Sequence, residues 1–272
     1  MSKIAFIGGG NMARALIGGL LSSGKSADKI IVAEPVAAAA QALSSDFGIE
    51  VSANNIDVVQ QADCWVLAVK PQVVKGVVSE LAALAAAQQP VVVSIVAGIP
   101  LGSLEKWLGG RCPLVRTMPN TPALVGKGIT ALFANQQASA SQRALAEQIM
   151  QAAGTTLWVD DEALLDAVTA VSGSGPAYFF RVMEAMIDAG QALGLSQQQA
   201  SQLTLATAAG AAELAIQSEH SVARLREQVT SPGGTTAAAL EVMNDLAIGD
   251  LFDQALRAAN NRAAELAQEA DG

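Results

Sequence analysis

Several short segments carry residues whose types and order could do chemistry. The first is Gly8-Gly9-Gly10-Asn11-Met12-Ala13, a GxGxxA pattern that follows the apolar run 4–7 and opens a helix-forming stretch. There Gly8 makes a tight turn, Gly10 lets a pyrophosphate approach the backbone, and the small Ala13 packs helix on strand. The helix start at Asn11 and Met12 offers free N–H groups and a positive dipole end to phosphates. Glu34 closes the second apolar run, at about the 20-residue spacing of a dinucleotide site. An acid there accepts bonds from an adenosine ribose and repels a 2′-phosphate, which favours NAD over NADP.

Further segments end apolar runs in the same way. Ala68-Val69-Lys70-Pro71 falls on the edge where an open α/β sheet binds ligands, so Lys70 is a candidate to touch cofactor or a substrate carboxylate. Ala97 and Gly98 in Ile95-Val96-Ala97-Gly98 leave room for a nicotinamide ring. Met118-Pro119-Asn120-Thr121-Pro122 is a loop fixed by two prolines, in which Asn120 could orient a carboxamide. Two later segments, Ser172-Gly173-Ser174-Gly175-Pro176 and Thr230-Ser231-Pro232-Gly233-Gly234-Thr235-Thr236, read as anion sites at helix starts. Glycines and hydroxyls there present N–H and O–H donors to a carboxylate without a cation.

The elements that must position these residues follow from periodicity. Short runs rich in Val and Ile at 4–7, 30–33, 65–69, 91–96, 114–117, 129–134 and 156–159 alternate with helical stretches at 12–22, 35–47, 55–61, 73–87 and 141–153. That alternation predicts a mostly parallel sheet covered by helices. Beyond Ala163 the strand signal stops, and Ala-rich helices are expected over 176–193, 196–218 and 247–270. The fold class is therefore an α/β N-terminal Rossmann domain over 1–162, followed by an all-α domain over 163–272, much of which is expected to be a subunit interface.

Composition narrows the chemistry. A formal net charge of −9, with no run of Lys or Arg, argues against nucleic acid as a partner. The single histidine, His220, and the isolated Cys64 and Cys112 leave no multi-histidine or CxxC metal set, so no metal is expected. Mean hydropathy is +0.35, yet Gly, Pro, Gln or a charge breaks every apolar stretch short of the roughly 20 residues of a spanning helix. No membrane partner and no export signal are expected, which fits a cytoplasmic protein.

Taken together, FIGGGNMA, AVKP, VSIVAG, VRTMPNTPA, AVSGSGPAYFF and VTSPGGTTAAAL resemble the pyrroline-5-carboxylate reductases, in that family's order and spacing across essentially the whole chain. The resemblance implies reduction of 1-pyrroline-5-carboxylate to L-proline with NADPH or NADH. It places the substrate carboxylate on Ser231, Gly234, Thr235 and Thr236, with Thr236 nearest the imine nitrogen, and Asn55 near the adenosine. Thr236, from the resemblance, and Lys70, from its place at the strand end, are the candidate catalytic residues. Gly8, Gly10, Asn11, Met12, Ala13, Glu34, Asn55, Ala68, Val69, Lys70, Ala97, Gly98 and Asn120 are the candidate cofactor contacts. It also implies a homodimer through the helical domain, with dimers that often assemble as decamers of five dimers. Some relatives carry hydroxyl residues around position 34 that receive a 2′-phosphate, whereas this chain has a carboxylate.

Two rivals remain on sequence grounds. A β-hydroxyacid dehydrogenase would share the architecture but uses a lysine of its helical domain, and no lysine follows Lys127 here. A non-catalytic nicotinamide-sensing protein would leave the SPGGTT segment unexplained.

Overall fold

The structure, a computed structural model, describes residues 3–110 and 112–271; the outermost residues of the two expected domains, 1, 2 and 272, lie outside them. Strands β1 (Ile4–Ile7), β2 (Ile30–Ala33), β3 (Glu50–Ser52), β4 (Cys64–Leu67), β5 (Val91–Ser94), β6 (Leu114–Met118), β7 (Gly128–Ala134) and β8 (Gly154–Trp158) form one sheet. Its order is β3-β2-β1-β4-β5-β6-β7-β8. All neighbours run parallel except β6 and β7. Successive strands run outward from β1 to β3 and then restart on its other side at β4, which creates the crevice where such sheets bind dinucleotides.

The central strands are buried on both faces, which explains their near-continuous apolar sequence. Ile4 and Phe6 face one layer with Leu16, Leu43 and Ile149, while Ala5 and Ile7 face the other with Val58, Val74 and Leu104. The first layer is built by α1 (Asn11–Ser22), α2 (Ala37–Phe47) and α7 (Ala140–Gln151). The second is built by α3 (Asn55–Val59), α4 (Pro71–Glu80), α5 (Ala82–Gln88) and α6 (Leu101–Trp107). Trp65, the largest buried side chain, donates its indole N–H to the carbonyls of Val59 and Ala62, both at 3.2 Å, so its polar atom is satisfied where it packs.

Compactness divides the chain at Ser174/Gly175, later than the boundary expected after residue 162, and returns the chain from Ala259 onward to the first unit. The physical reason lies in a buried ionic network. Arg116 on β6 is only 6% exposed and donates to Glu162 at 2.8 Å, while Asp166 lies 4.0 Å away. The same Glu162 oxygen accepts the N–H of Leu101, the first residue of α6. Glu162 thus fastens the start of α8 (Leu164–Val168) to the sheet, and Leu165 is fully buried there. At the far end of the chain Leu266 packs against Gly98, whose φ of +73° suits glycine.

The second unit, Gly175–Ala258, holds α9 (Gly175–Ala192), α10 (Gln197–Gln217), α11 (Val222–Gln228), α12 (Thr235–Asp245) and the start of α13 (Ile248–Asp271). Ser196 caps α10 through a reciprocal box with Gln199, as its position before the run predicts. α9 and α10 pack closely because Gly190 leaves room for Ala200.

Burial raises the Asp166 carboxyl above its ordinary 3.8, opposed by Arg116 and reinforced by Glu162. A folded value above the unfolded one means the native state holds the proton more tightly, so stability falls as pH rises through that raised value. Asp166→Asn should therefore be more stable than the parent at neutral pH, the gap closing toward about pH 4. Arg116 keeps Glu162 in the variant. Urea midpoints taken across the pH range check this, and a variant less stable than the parent at pH 7 contradicts it.

Candidate active site

The site grows from the turn after β1. Gly8 has φ +100°, its N–H bonds to Ala33 O at 2.9 Å, and a Cβ there would lie 2.5 Å from the carbonyl oxygen of Ala68. Only glycine satisfies both the backbone angle and the approach. Gly9 is equally hemmed in, by Leu43 and the Glu34 carboxylate, whereas a Cβ at Gly10 would meet nothing within 4 Å. Gly10 is exposed and N-caps α1 with no side-chain acceptor, so the first N–H groups of α1 have no capping side chain. Ala13 is completely buried under that helix start. Such an arrangement suits an anion, with a positive helix end beside bare backbone.

Around it the carboxyl edge of the sheet gathers most of the residues expected from sequence. Glu34 accepts the N–H of Gly9 at 3.0 Å with one carboxylate oxygen and that of Val36 at 2.9 Å with the other. Val69 approaches the Gly8 turn from the end of β4 beside Ala68. Lys70 N-caps α4 with Pro71 as that helix's first residue, and its side chain is exposed. Ala97 is exposed in the loop after β5, next to half-buried Gly98. Asn55 opens α3 behind the cap supplied by Asn54, and reaches Glu80 only at 3.5 Å.

Asn120 also has a structural role that its local sequence does not show. Its amide oxygen accepts the N–H of Ile129 at 3.0 Å, and its amide nitrogen donates to the Ser172 carbonyl at 3.2 Å. Each half of the amide has one partner within the protein, so Asn120 braces the proline loop against the SGSG segment while keeping a second donor and a second acceptor site. Glu162 and Arg116, which anchor the loop after β5 by way of Leu101, escaped the sequence reading because no local pattern pairs them.

The SGSGP segment also departs from its expected form. Thr169–Gly173 is a π-helical turn that continues α8 toward α9, and the Ser174 N–H bonds to Thr169 O at 2.8 Å. The Ser172 hydroxyl donates to Val168 O at 3.2 Å. This is therefore no open helix start with idle donors. A Cβ on Gly173 would lie 2.4 Å from the Met118 side chain, which shows how tightly the turn is packed. Wide turns of this kind cluster at functional positions.

SPGGTT keeps its expected geometry. Gly234 N-caps the 11-residue α12 with no side-chain acceptor, and the Gly234 N–H closes a turn on Ser231 O at 3.0 Å. Gly233 has φ +70°. Thr235 and Thr236 are the first helical residues, Thr236 half-buried and Ser231 exposed. The helix start thus carries backbone N–H groups and hydroxyls with no cation in the segment. Cys64 and Cys112 are buried thiols pushed up to about 12 by desolvation, which leaves them unreactive at neutral pH.

Residues 162–266 match the family model described as pyrroline-5-carboxylate reductase dimerisation, and residues 3–98 match NADP oxidoreductase coenzyme F420-dependent. A pyrroline-5-carboxylate reductase of Pseudomonas aeruginosa is 52% identical over 267 residues, covering 98% of this chain and 97% of its own. A Coxiella burnetii pyrroline-5-carboxylate reductase structure superposes with TM-score 0.94 at 43% identity, over 97% of this chain and 98% of that one. A Plasmodium falciparum pyrroline carboxylate reductase, solved with NADP bound, gives 0.86 at 27% identity over 98% of both chains.

Replacing Asn120 by Ala leaves the Ile129 N–H and the Ser172 carbonyl without partners, so we expect a loss of about 1–3 kcal/mol in stability. Dinucleotide affinity should change less than about twofold, below 1 kcal/mol. Urea unfolding and calorimetric titration with NADH check the two halves. A variant of parental stability with weakened NADH binding would make Asn120 a cofactor contact rather than a strut.

Proposed function

The chain belongs to the pyrroline-5-carboxylate reductase family, and from that premise we infer that it reduces 1-pyrroline-5-carboxylate to L-proline with NAD(P)H, the last step of proline biosynthesis. The observation that carries this reading is the match at 52% identity over nearly the full length of both chains. It embraces the glycine turn and the SPGGTT segment alike.

The residues present fit a nicotinamide dinucleotide. The Gly10 surface and the uncapped N–H groups of Asn11, Met12 and Ala13 would hold the pyrophosphate, with Gly8 shaping the turn. Glu34 and Asn55 would meet the adenosine half. Ala68, Val69, Lys70, Ala97 and Gly98 would border the nicotinamide half. When bound, the cofactor supplies a hydride to the imine carbon.

What the chain itself must do is modest. An imine is already electrophilic and more so once its nitrogen is protonated, so alignment contributes most. In our reading Ser231, Thr235 and Thr236 donate to the substrate carboxylate beside Gly234, whose own N–H is closed on Ser231 O and which shapes the turn; the Thr236 hydroxyl bonds near the nitrogen, either donating its proton or orienting a water that does. Lys70 is the remaining candidate for a contact with the reacting groups.

The helical unit supports a homodimer. Phe179 is 68% exposed, Phe180 63% and Ile216 79%, far beyond what an isolated chain presents at no cost. Its own buried residues, Gly175, Ala200 and Thr204, are small or polar. A second copy is the occupant that the matched dimerisation model favours. Assembly of five such dimers into a decamer, and residence in the cytoplasm, are parts of the same proposal. No helix among the described residues is long and apolar enough to cross a membrane.

Incubating the protein with 1-pyrroline-5-carboxylate and following NADPH and NADH absorbance, with proline detected as product, tests the reaction. Thr236→Ala should lower kcat by about 10²-fold while leaving dinucleotide affinity unchanged. Equal turnover in that variant removes Thr236 from the mechanism, and dinucleotide binding without proline formation overturns the reductase reading.

A further inference from the structure

We propose that Glu34 makes this chain an NADH-preferring enzyme, by holding a fixed carboxylate where a 2′-phosphate would have to sit. The proposal rests on the dinucleotide-binding reading above and deepens it. A carboxylate at the end of the second strand faces the adenosine ribose in folds of this kind. Its presence alone decides little, because a glutamate on a free stem can swing aside and admit a phosphate. Here both of its oxygens are held by backbone donors.

One Glu34 oxygen is bonded to the Gly9 N–H at 3.0 Å and the other to the Val36 N–H at 2.9 Å. The backbone of Glu34 is itself tied by its N–H to Ser52 O at 2.9 Å. Turning the side chain away would leave two backbone donors without their acceptors, a cost of order 1–3 kcal/mol for each that is cut off from water. The Gly9 bond also places the charge directly against the glycine turn, between the pyrophosphate surface and the ribose position. Each oxygen retains acceptor capacity beyond its one N–H, since a carboxylate offers about four lone-pair sites. Ribose 2′- and 3′-hydroxyls can donate to them. A phosphate there brings further negative charge and no donor.

The segment after Glu34 brings no side chain that could receive a phosphate. After Glu34 the chain reads Pro35, Val36 and then four alanines, Ala37 to Ala40, with neither hydroxyl nor cation. Val36 is 59% exposed and N-caps α2 without a side-chain acceptor. The favourable charge for that helix start is already supplied by the carboxylate on the Val36 N–H. The arginine nearest in sequence to the glycine turn, Arg14, is paired with Asp46 and lies over the Phe47 ring at 5.1 Å. NADPH would therefore meet repulsion that NADH does not, at a site where NADH gains hydrogen bonds.

The test is direct binding on the full-length protein, with calorimetric titration of NADH and NADPH in parallel, followed by kcat/KM with each. The parent should bind NADH at least about tenfold more tightly than NADPH. Glu34→Gln keeps shape and removes charge, though it retains at most one of the two backbone acceptances, so the ratio of the two affinities is read rather than either alone. That ratio should shift toward NADPH by about tenfold, and further in Glu34→Ser, where a hydroxyl and space replace the acid. A parent that binds NADPH as well as or better than NADH overturns the proposal and leaves the reductase reading intact. So does a ratio unmoved in Glu34→Gln. A parent that binds neither dinucleotide overturns both.

Discussion

The chain leaving β1 has no room for a side chain, and much of the molecule's first unit is arranged around that restriction. Gly8 turns hard against the carbonyl of Ala68 at the end of β4, so β1 and β4 must be neighbours with their carboxyl ends level. That neighbour relation is the point where strand order reverses. The turn also sends the chain straight into α1, whose start is left without a capping side chain. A serine or aspartate at the cap would contribute about 1 kcal/mol to the helix but would occupy the N–H groups that an anion needs. Stability forgone at the start of α1 is thus the condition for binding there.

The two units reach stability by different routes. In the first, a sheet buried on both faces supplies a continuous core, and even Arg116 and Trp65 find partners within it. In the second, aromatic and aliphatic side chains of α9 and α10 point outward, and glycine and alanine mediate the close contact between the two helices. A unit with so little interior leaves its apolar side chains exposed in the single chain, in keeping with the dimerisation model that it matches.

Strands buried on both faces announce themselves as Val- and Ile-rich runs, and those runs lie within a residue or two of the observed elements. The edge strand β3 does not, because Glu50-Val51-Ser52 is short, half exposed and free of any apolar run. The single helix expected over 73–87 is two, α4 and α5, broken at Leu81 without a proline or glycine to mark the break. Helices α6, α8 and α11 are too short for their periodicity to stand out. At the site, local motifs were legible wherever their chemistry is local, as in the glycine turn and SPGGTT. The bond from Asn120 to Ser172 and the π-helical turn at 169–173 are not legible in the same way, because the bond joins residues 52 apart and no local spacing encodes such a contact.

A chain of net charge −9 that handles an anionic cofactor and an anionic substrate meets an electrostatic conflict, which its architecture resolves by distance. The repulsion of scattered surface carboxylates is screened over a Debye length of about 8 Å at physiological salt. Backbone N–H groups at a helix start act at hydrogen-bond range, where screening is weak and directionality strong. Two such starts, at Gly10 and Gly234, offer that geometry, and neither recruits a side-chain acceptor. Since the favourable field at each falls off within a turn, it can attract only an anion placed almost in contact with the backbone. Glu34 applies the same short range in the opposite sense: fixed beside the turn, it penalises charge at one position without weakening the attraction a few ångströms away.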